Sequence, residues 1–259
     1  MKINEIISSI DKDKILELFI EYFEYDGEIT IDDNRFISCS GNVKLIKKIY
    51  KLPVKFLKVD GNFDCRNNNL ETLEGSPTSV SSSFSCSNNQ LTTLVGGPTS
   101  VDGDFYCHNN QLTTLDGSPT SVSVDFNCSY NQLTTLEGSP TSVGGDFSCS
   151  RNQLTTLEGG PTSVGGGFYC YNNPNLKNLN HLPIGISEVS ITYLPTMPLL
   201  KCLIANNIQF HPNTNIINII EDVLNKYAGQ GRRGALSCAA DLLSLGKKLN
   251  IDLTMNARW

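Results

Sequence analysis

The chain has 259 residues, with 20 Lys and Arg against 26 Asp and Glu, a net charge of −6 and a pI near 5.1. This length suits one long repeat array with caps or two small domains, and the acidic balance argues against generic nucleic-acid binding through a basic surface. No apolar run of about eighteen residues occurs, and the first residues lack the layout of a signal peptide. We therefore expect a cytoplasmic protein that does not cross a membrane.

Residues 1–58 are predicted to form an N-terminal helical cap with one degenerate repeat. Apolar residues at helical spacing run to Ile10 and again from Ile15 to Phe23, with Asp11 or Asp13 as a possible helix cap and Gly27 as the end. Strands follow over 29–31 and 36–42. Six lysines between 44 and 58 are interpreted as the solvated face of a cap helix in preference to a polyanion site.

A 21-residue repeat dominates the middle of the chain. A cysteine recurs at this period, a phenylalanine stands two residues before each one, and an asparagine stands three residues after it. Phe-x-Cys has the period of a strand that points both side chains inward, and the asparagine is expected to satisfy backbone groups at a turn. A fixed period of this length predicts a solenoid. The six cysteines are Cys65, Cys86, Cys107, Cys128, Cys149 and Cys170.

Aligned on its asparagine, one unit contains Val80, Phe84, Cys86, Asn89, Leu91 and Leu94 at fixed offsets. This pattern resembles the leucine-rich repeat, in the short form found in bacteria and their phages, over roughly residues 36–210. The resemblance implies an α/β repeat solenoid, an arc with a parallel β-sheet on its concave face, a helical N-terminal cap and C-terminal helices. Residues 59–210 are the expected solenoid. The segment Ile37-x-Cys39-x-x-Asn42 is a degenerate copy, 26 residues before Cys65.

The nine cysteines are interpreted as reduced, small apolar core residues. Neighbours in a parallel ladder point the same way, which disfavours disulfides. No matching set of His or carboxylate ligands accompanies the ladder, so we expect neither a metal site nor a cofactor.

Residues 211–259 are predicted to be a C-terminal helical cap. One helix is expected to start at Thr214 or Asn215 and stop near Gly229, and a second to run over 235–249. Some bacterial leucine-rich repeat proteins are ubiquitin ligases with a catalytic cysteine near an acid, and Cys238 with Asp241 is a superficial match. The segment is short for such a domain, and a core cysteine is the preferred interpretation.

The variable outward positions of the repeats are the candidate binding residues. By analogy with the family they floor the concave face, where Tyr and Arg are favoured interface anchors and an aspartate column would attract a basic partner. We therefore expect a non-enzymatic module that binds another protein, such as a phage or bacterial inhibitor or adaptor; the alternative is an effector with an activity in the C-terminal helices. The candidates are Tyr106, His108, Tyr130, Arg151, Tyr169, Tyr171, Asp104, Asp125 and Asp146.

Overall fold

The computed structural model describes residues 3–176, 181–183 and 185–190, and the positions 222, 223, 226, 227, 230, 234, 237, 238, 240–242 and 244; side chains are described from residue 11, except that of 188. The described chain forms one helix at its start and then a β-solenoid. Its elements are α1 Ile3–Tyr22, β1 Phe23–Tyr25, β2 Ile29–Ile31, β3 Phe36–Cys39, β4 Val43–Leu45, β5 Lys55–Val59, β6 Phe63–Asp64, β7 Ser79–Val80, β8 Phe84–Ser85, β9 Ser100–Val101, β10 Phe105–Tyr106, β11 Ser121–Val122, β12 Phe126–Asn127, β13 Ser142–Val143, β14 Phe147–Ser148, β15 Ser163–Val164, β16 Gly167–Tyr169 and β17 Glu188–Ser190.

Each repeat contributes one short strand to each of two sheets. Sheet A has the order β1-β4-β6-β8-β10-β12-β14-β16-β17, and sheet B has the order β15-β13-β11-β9-β7-β5-β3-β2. Within sheet A the phenylalanines from Phe63 to Phe168 each pair with the phenylalanine one turn away, as Phe105 does with Phe126. Within sheet B, Val122 pairs with Val143 in the same manner. The predicted solenoid with parallel strands is confirmed.

The predicted α/β arc is not what the structure shows. The predicted arc has a single parallel β-sheet, on its concave face. In the described repeats each turn instead contributes a second strand, Ser-Val, and these strands form sheet B. The physical reason is that serine followed by valine exposes one side chain and buries the other, which a two-residue strand needs. Gly117, at φ +95°, makes the turn before this strand, and a Cβ there would lie 2.3 Å from the Leu94 carbonyl carbon.

The core consists of columns stacked along the solenoid. The phenylalanine rings of neighbouring turns lie 5.2–5.7 Å apart between centroids from Phe63 to Phe168, and the six repeat cysteines are free and buried. Each buried phenylalanine contributes roughly 1.5–3 kcal/mol. The predicted inward Phe and Cys columns are therefore confirmed.

The repeat asparagines form a hydrogen-bonded ladder that ties each turn to the one before. Asn89 Nδ2 donates to the carbonyl oxygens of Cys86 and Cys65, both at 3.0 Å, and its Oδ1 accepts from the Leu70 N–H at 2.9 Å. The same pattern recurs at Asn131 and Asn152. The predicted role of this residue in satisfying turn backbone groups is confirmed.

The N-terminal region differs from its sequence interpretation in two ways. Helix α1 runs through Asp11 and Asp13 without a break, and Phe23 already belongs to β1. The prediction that Ile37 and Cys39 begin a degenerate copy of the Phe-x-Cys strand is wrong, because their strand, β3, lies in sheet B. The sheet A partner of Phe63 is Val43 of β4, 20 residues earlier. Five extra residues are therefore not present at this turn.

In the last third, the described residues contain one more strand of sheet A and isolated helical positions, which do not establish the predicted pair of C-terminal cap helices. Val189 of β17 pairs with Phe168, 21 residues earlier. The described positions 222, 223, 226 and 227 are helical, as are 234, 237, 238, 240–242 and 244. The other strand predicted there, around Cys202, and the tail beyond 244 lie outside the described residues.

Candidate functional site

The candidate residues lie on the outer face of sheet A, in columns that repeat once per turn. The strand column holds the residue between Phe and Cys. The next position after Cys forms a second column, and the one after that a third. The strand column is Asp64, Ser85, Tyr106, Asn127, Ser148 and Tyr169; the second is Arg66, Ser87, His108, Ser129, Ser150 and Tyr171; the third is Asn67, Asn88, Asn109, Tyr130, Arg151 and Asn172.

The second column is not the outward surface that the sequence predicted. Ser87 is 1% exposed and Ser150 is 0% exposed. The strand ends at the residue before Cys, so the in-and-out alternation stops there and the chain turns inward. Ser150 Oγ donates to the Tyr169 carbonyl oxygen at 3.0 Å. Only the larger side chains of this column, Arg66, His108 and Tyr171, reach the surface.

His108 is half-buried beside its predicted neighbour Tyr106. Its Nδ1 lies 3.0 Å from Ser87 Oγ, and its ring meets the Tyr106 ring edge-on at 6.2 Å between centroids. Burial, and then the positive charge of Arg66, lower the pKa of His108. The lowered pKa favours the neutral form of the imidazole.

The third column has a left-handed backbone in every described repeat. The φ angles lie between 54° and 59°, a region in which asparagine is enriched and larger residues are uncommon. Two turns depart from asparagine with Tyr130 and Arg151. The Arg151 guanidinium carbon lies 4.8 Å from the Tyr130 ring centroid, and Tyr130 is 45% exposed. These two candidates form an exposed aromatic–cation pair on adjacent turns.

The aspartate candidates have a structural task that sequence reasoning missed. Oδ1 of Asp104 accepts the Asp125 N–H at 3.1 Å, Oδ1 of Asp125 accepts the Asp146 N–H at 2.8 Å, and Oδ1 of Asp146 accepts the Gly167 N–H at 2.7 Å. Asn42 and Asn62 do the same at the first turns. The signal was the recurrence of short acceptor side chains at this position in Asn42, Asn62, Ser83, Asp104, Asp125 and Asp146.

The two strand-column tyrosines lean toward the aspartate column. Burial raises the pKa of Tyr106 to about 12, assisted by the charge of Asp104, a hydrogen bond to its side chain, and the charge of Asp125. Tyr169 lies over Gly167, since a Cβ there would be 2.5 Å from the tyrosine hydroxyl oxygen. Three groups of candidates result: Tyr106 with His108 and Asp104, Tyr130 with Arg151, and Tyr169 beside the end of the aspartate column at Asp146. Asp125 links Asp104 to Asp146 in that column, and Tyr171 belongs to the second column.

The lysine-rich stretch of the N-terminal region is not a helix. Lys47 pairs with Glu21 at 2.7 Å and Lys58 with Asp60 at 2.9 Å, which agrees with a solvated face. Residues 48–55, with Tyr22 and the 71–74 segment, border a groove of about 670 Å³. No sequence pattern predicts this groove, whose lining includes the exposed Tyr50.

The described residues contain neither a candidate metal site nor a membrane-spanning helix. No group of three or more His, Cys, Asp or Glu side chains there could hold a metal ion. No described helix is long and apolar enough to span a bilayer. Cys238 is buried, and Asp241 accepts hydrogen bonds from Lys226 at 2.9 Å and Tyr227 at 2.7 Å.

In comparisons with known proteins, no family model, no curated sequence and no solved structure matches the chain.

Proposed function

We propose that the chain is a non-enzymatic binding module that recognises another protein through the outer face of sheet A. A repeat scaffold hosts many functions, so the proposal depends on the variable side chains of this face. The resemblance to short leucine-rich repeats of bacteria and phages supports a role as an inhibitor or adaptor in the cytoplasm.

The observation that carries the proposal is the pair Tyr130 and Arg151. Both side chains occupy a left-handed position that four other repeats give to asparagine. A non-glycine residue without asparagine's local hydrogen bonding costs roughly 1–2 kcal/mol there. Folding does not require either side chain, because the ladder is identical in the repeats that have asparagine. Strain retained at an exposed aromatic and an exposed arginine is typical of a functional surface.

The scaffold favours recognition because it fixes the backbone beneath these side chains. Asn131 and Asn152, both buried, hold the turns that carry Tyr130 and Arg151. Each interface side chain that is already ordered loses less entropy when a partner docks. The Tyr130–Arg151 stack orders both members before binding.

The test is a double substitution to the residue of the other repeats, Tyr130→Asn with Arg151→Asn. We expect the free energy of unfolding to rise by roughly 0.5–2 kcal/mol, because the left-handed strain is relieved. We expect capture of the partner from the native host to fall more than tenfold. The matched control, Ser100→Ala with Ser121→Ala on exposed positions of sheet B, should change neither quantity.

A variant that is more stable but binds normally would contradict the proposal. The alternative, an activity in residues 211–259, would then be the stronger candidate. Its own test is Cys238→Ser, which should abolish that activity without altering capture by sheet A.

A further inference from the structure

In the strand column of sheet A, two smaller side chains stand between two tyrosines and leave a gap between the tyrosine rings. Tyr106 and Tyr169 are three turns apart, and Asn127 and Ser148 stand between them. Parallel strands are spaced by about 4.8 Å, so the two rings stand about 14 Å apart along the solenoid. The smaller residues form the floor of this gap.

Two carboxylates border the gap on the side toward which both tyrosines lean. Asp125 and Asp146 belong to the same two turns as Asn127 and Ser148, and both are half-buried. One oxygen of each carboxylate accepts a backbone N–H of the next turn. Oδ2 of each has no hydrogen-bond partner among the described residues, whereas Oδ2 of Asp104 accepts from Ser83 Oγ. In the part of the chain that the structure describes, both Oδ2 atoms are therefore available as acceptors.

The repeat region around the gap carries a net negative charge. Residues 61–180 contain ten acidic and three basic residues, a net charge of −7. Of the two arginines, Arg66 is paired with Asp64 at 2.9 Å and Arg151 is stacked on Tyr130. A cationic side chain from another molecule is therefore the complement that this face lacks.

We propose that Tyr106, Asp125, Asp146 and Tyr169 form a docking site for a lysine or arginine side chain of a basic protein segment. This inference depends on the proposed function and specifies the chemistry of the partner. The incoming cation donates charge-assisted hydrogen bonds to the two Oδ2 atoms. Its alkyl stem contacts the ring of Tyr106, one turn from Asp125, in the way that the Arg151 guanidinium contacts Tyr130.

The experiment measures binding of fluorescent tetra-arginine and tetra-lysine peptides to the full chain by anisotropy at low salt. The variant Asp125→Asn with Asp146→Asn keeps an oxygen for the backbone N–H, the task that Asn42 and Asn62 perform in this same chain. The control Asp116→Asn with Glu137→Gln removes the same charge from two exposed residues on another side of the turns. Both variants are checked for unchanged unfolding temperature.

We expect the Asp125/Asp146 variant to weaken peptide binding at least tenfold, Tyr106→Leu to weaken it at least threefold, and the control to change it less than twofold. Equal losses in the variant and the control would overturn the proposal, because attraction would then come from net charge alone. Tighter binding of a neutral oligosaccharide, or absence of peptide binding, would also overturn it. Capture by the Tyr130/Arg151 pair is a separate measurement, so the proposed function can stand when this site fails.

Discussion

Sheet A and sheet B are made by the same repeats but differ in what they allow to vary. From β7 to β15, every strand of sheet B is Ser-Val, and each pairs with its equivalent one turn away. The inward Phe and Cys columns of sheet A are equally uniform, while its outward columns range from Ser to Tyr and Arg. Stacking demands uniformity only where side chains meet between turns. The variety on sheet A is therefore not a requirement of the fold.

The largest effect should come from the inward column of sheet A. Phe126→Ala removes a ring stacked between Phe105 and Phe147 and should lower the free energy of unfolding by roughly 3–5 kcal/mol. Urea unfolding followed by circular dichroism measures this. Val124→Ala, at a position 44% exposed in the same repeat, should stay within about 0.5 kcal/mol. Equal effects from the two substitutions would show that the column is not the core.

The second-largest loss in the free energy of unfolding should come from the asparagine ladder. Asn131→Ala leaves the carbonyl groups of Cys107 and Cys128 and the Leu112 N–H without their partner, at about 1–3 kcal/mol for each buried group that stays unpaired. The same unfolding assay applies, with the exposed neighbour Gln132→Ala as the control. Loss below about 0.5 kcal/mol would indicate that the ladder is not needed to join the turns.

The inward cysteines of sheet A can be compared with its outward residues by their accessibility to a reagent instead of by stability. Burial raises the pKa of the Cys170 thiol to about 12, and it raises the pKa of the other repeat cysteines as well. Site-resolved mass spectrometry with a thiol-alkylating reagent should show these cysteines reacting more than about 100-fold slower in the native chain than in denaturant, since exposure requires opening of the solenoid. Rapid native labelling of Cys107 or Cys128 would contradict the buried assignment.

The smallest expected effect concerns pH and the outward columns. The pKa of His108 is lowered in the folded chain, so the unfolded chain binds the proton more readily. Stability should therefore fall as pH drops below the ordinary histidine pKa of about 6.5 and level off below the folded pKa. His108→Gln should reduce the difference in unfolding temperature between pH 7.5 and pH 5.5. An unchanged difference would show that burial of this imidazole is not linked to folding.

The sequence predicted the columns that face inward and missed the features that depend on how the chain leaves each strand. Phe63, Cys65 and Asn68 recur at a fixed period. Such a period predicts a solenoid in which equivalent residues of successive turns stack on one another. The Ser-Val strands are too short to show alternation, so sheet B was not predicted. Ser87 and Ser150 were taken as outward because the strand was assumed to continue past Cys.

The misassigned first repeat has a similar origin. Cys39 and Asn42 imitate the Cys-x-x-Asn spacing, but backbone pairing places Asn42 in register with Asn62, next to the phenylalanine. Of the candidate site, the identities of the tyrosines and arginine followed from their departure from the repeat. Their left-handed backbone and the hydrogen-bonding task of the aspartates required the three-dimensional arrangement.

The direction of the first strands bears on self-assembly. Among the described strands, only β1 and β2 run antiparallel to their neighbours, and Phe19 of α1 packs against Phe23 and Phe56 at the same end. Open parallel edges are templates on which further chains can add turn by turn, as in a fibril. Here helix α1 packs at that end through Phe19, and a helix beside the first strands is one of the means by which proteins protect a sheet edge. We therefore expect addition of further chains by stacking to be disfavoured at this end of the solenoid.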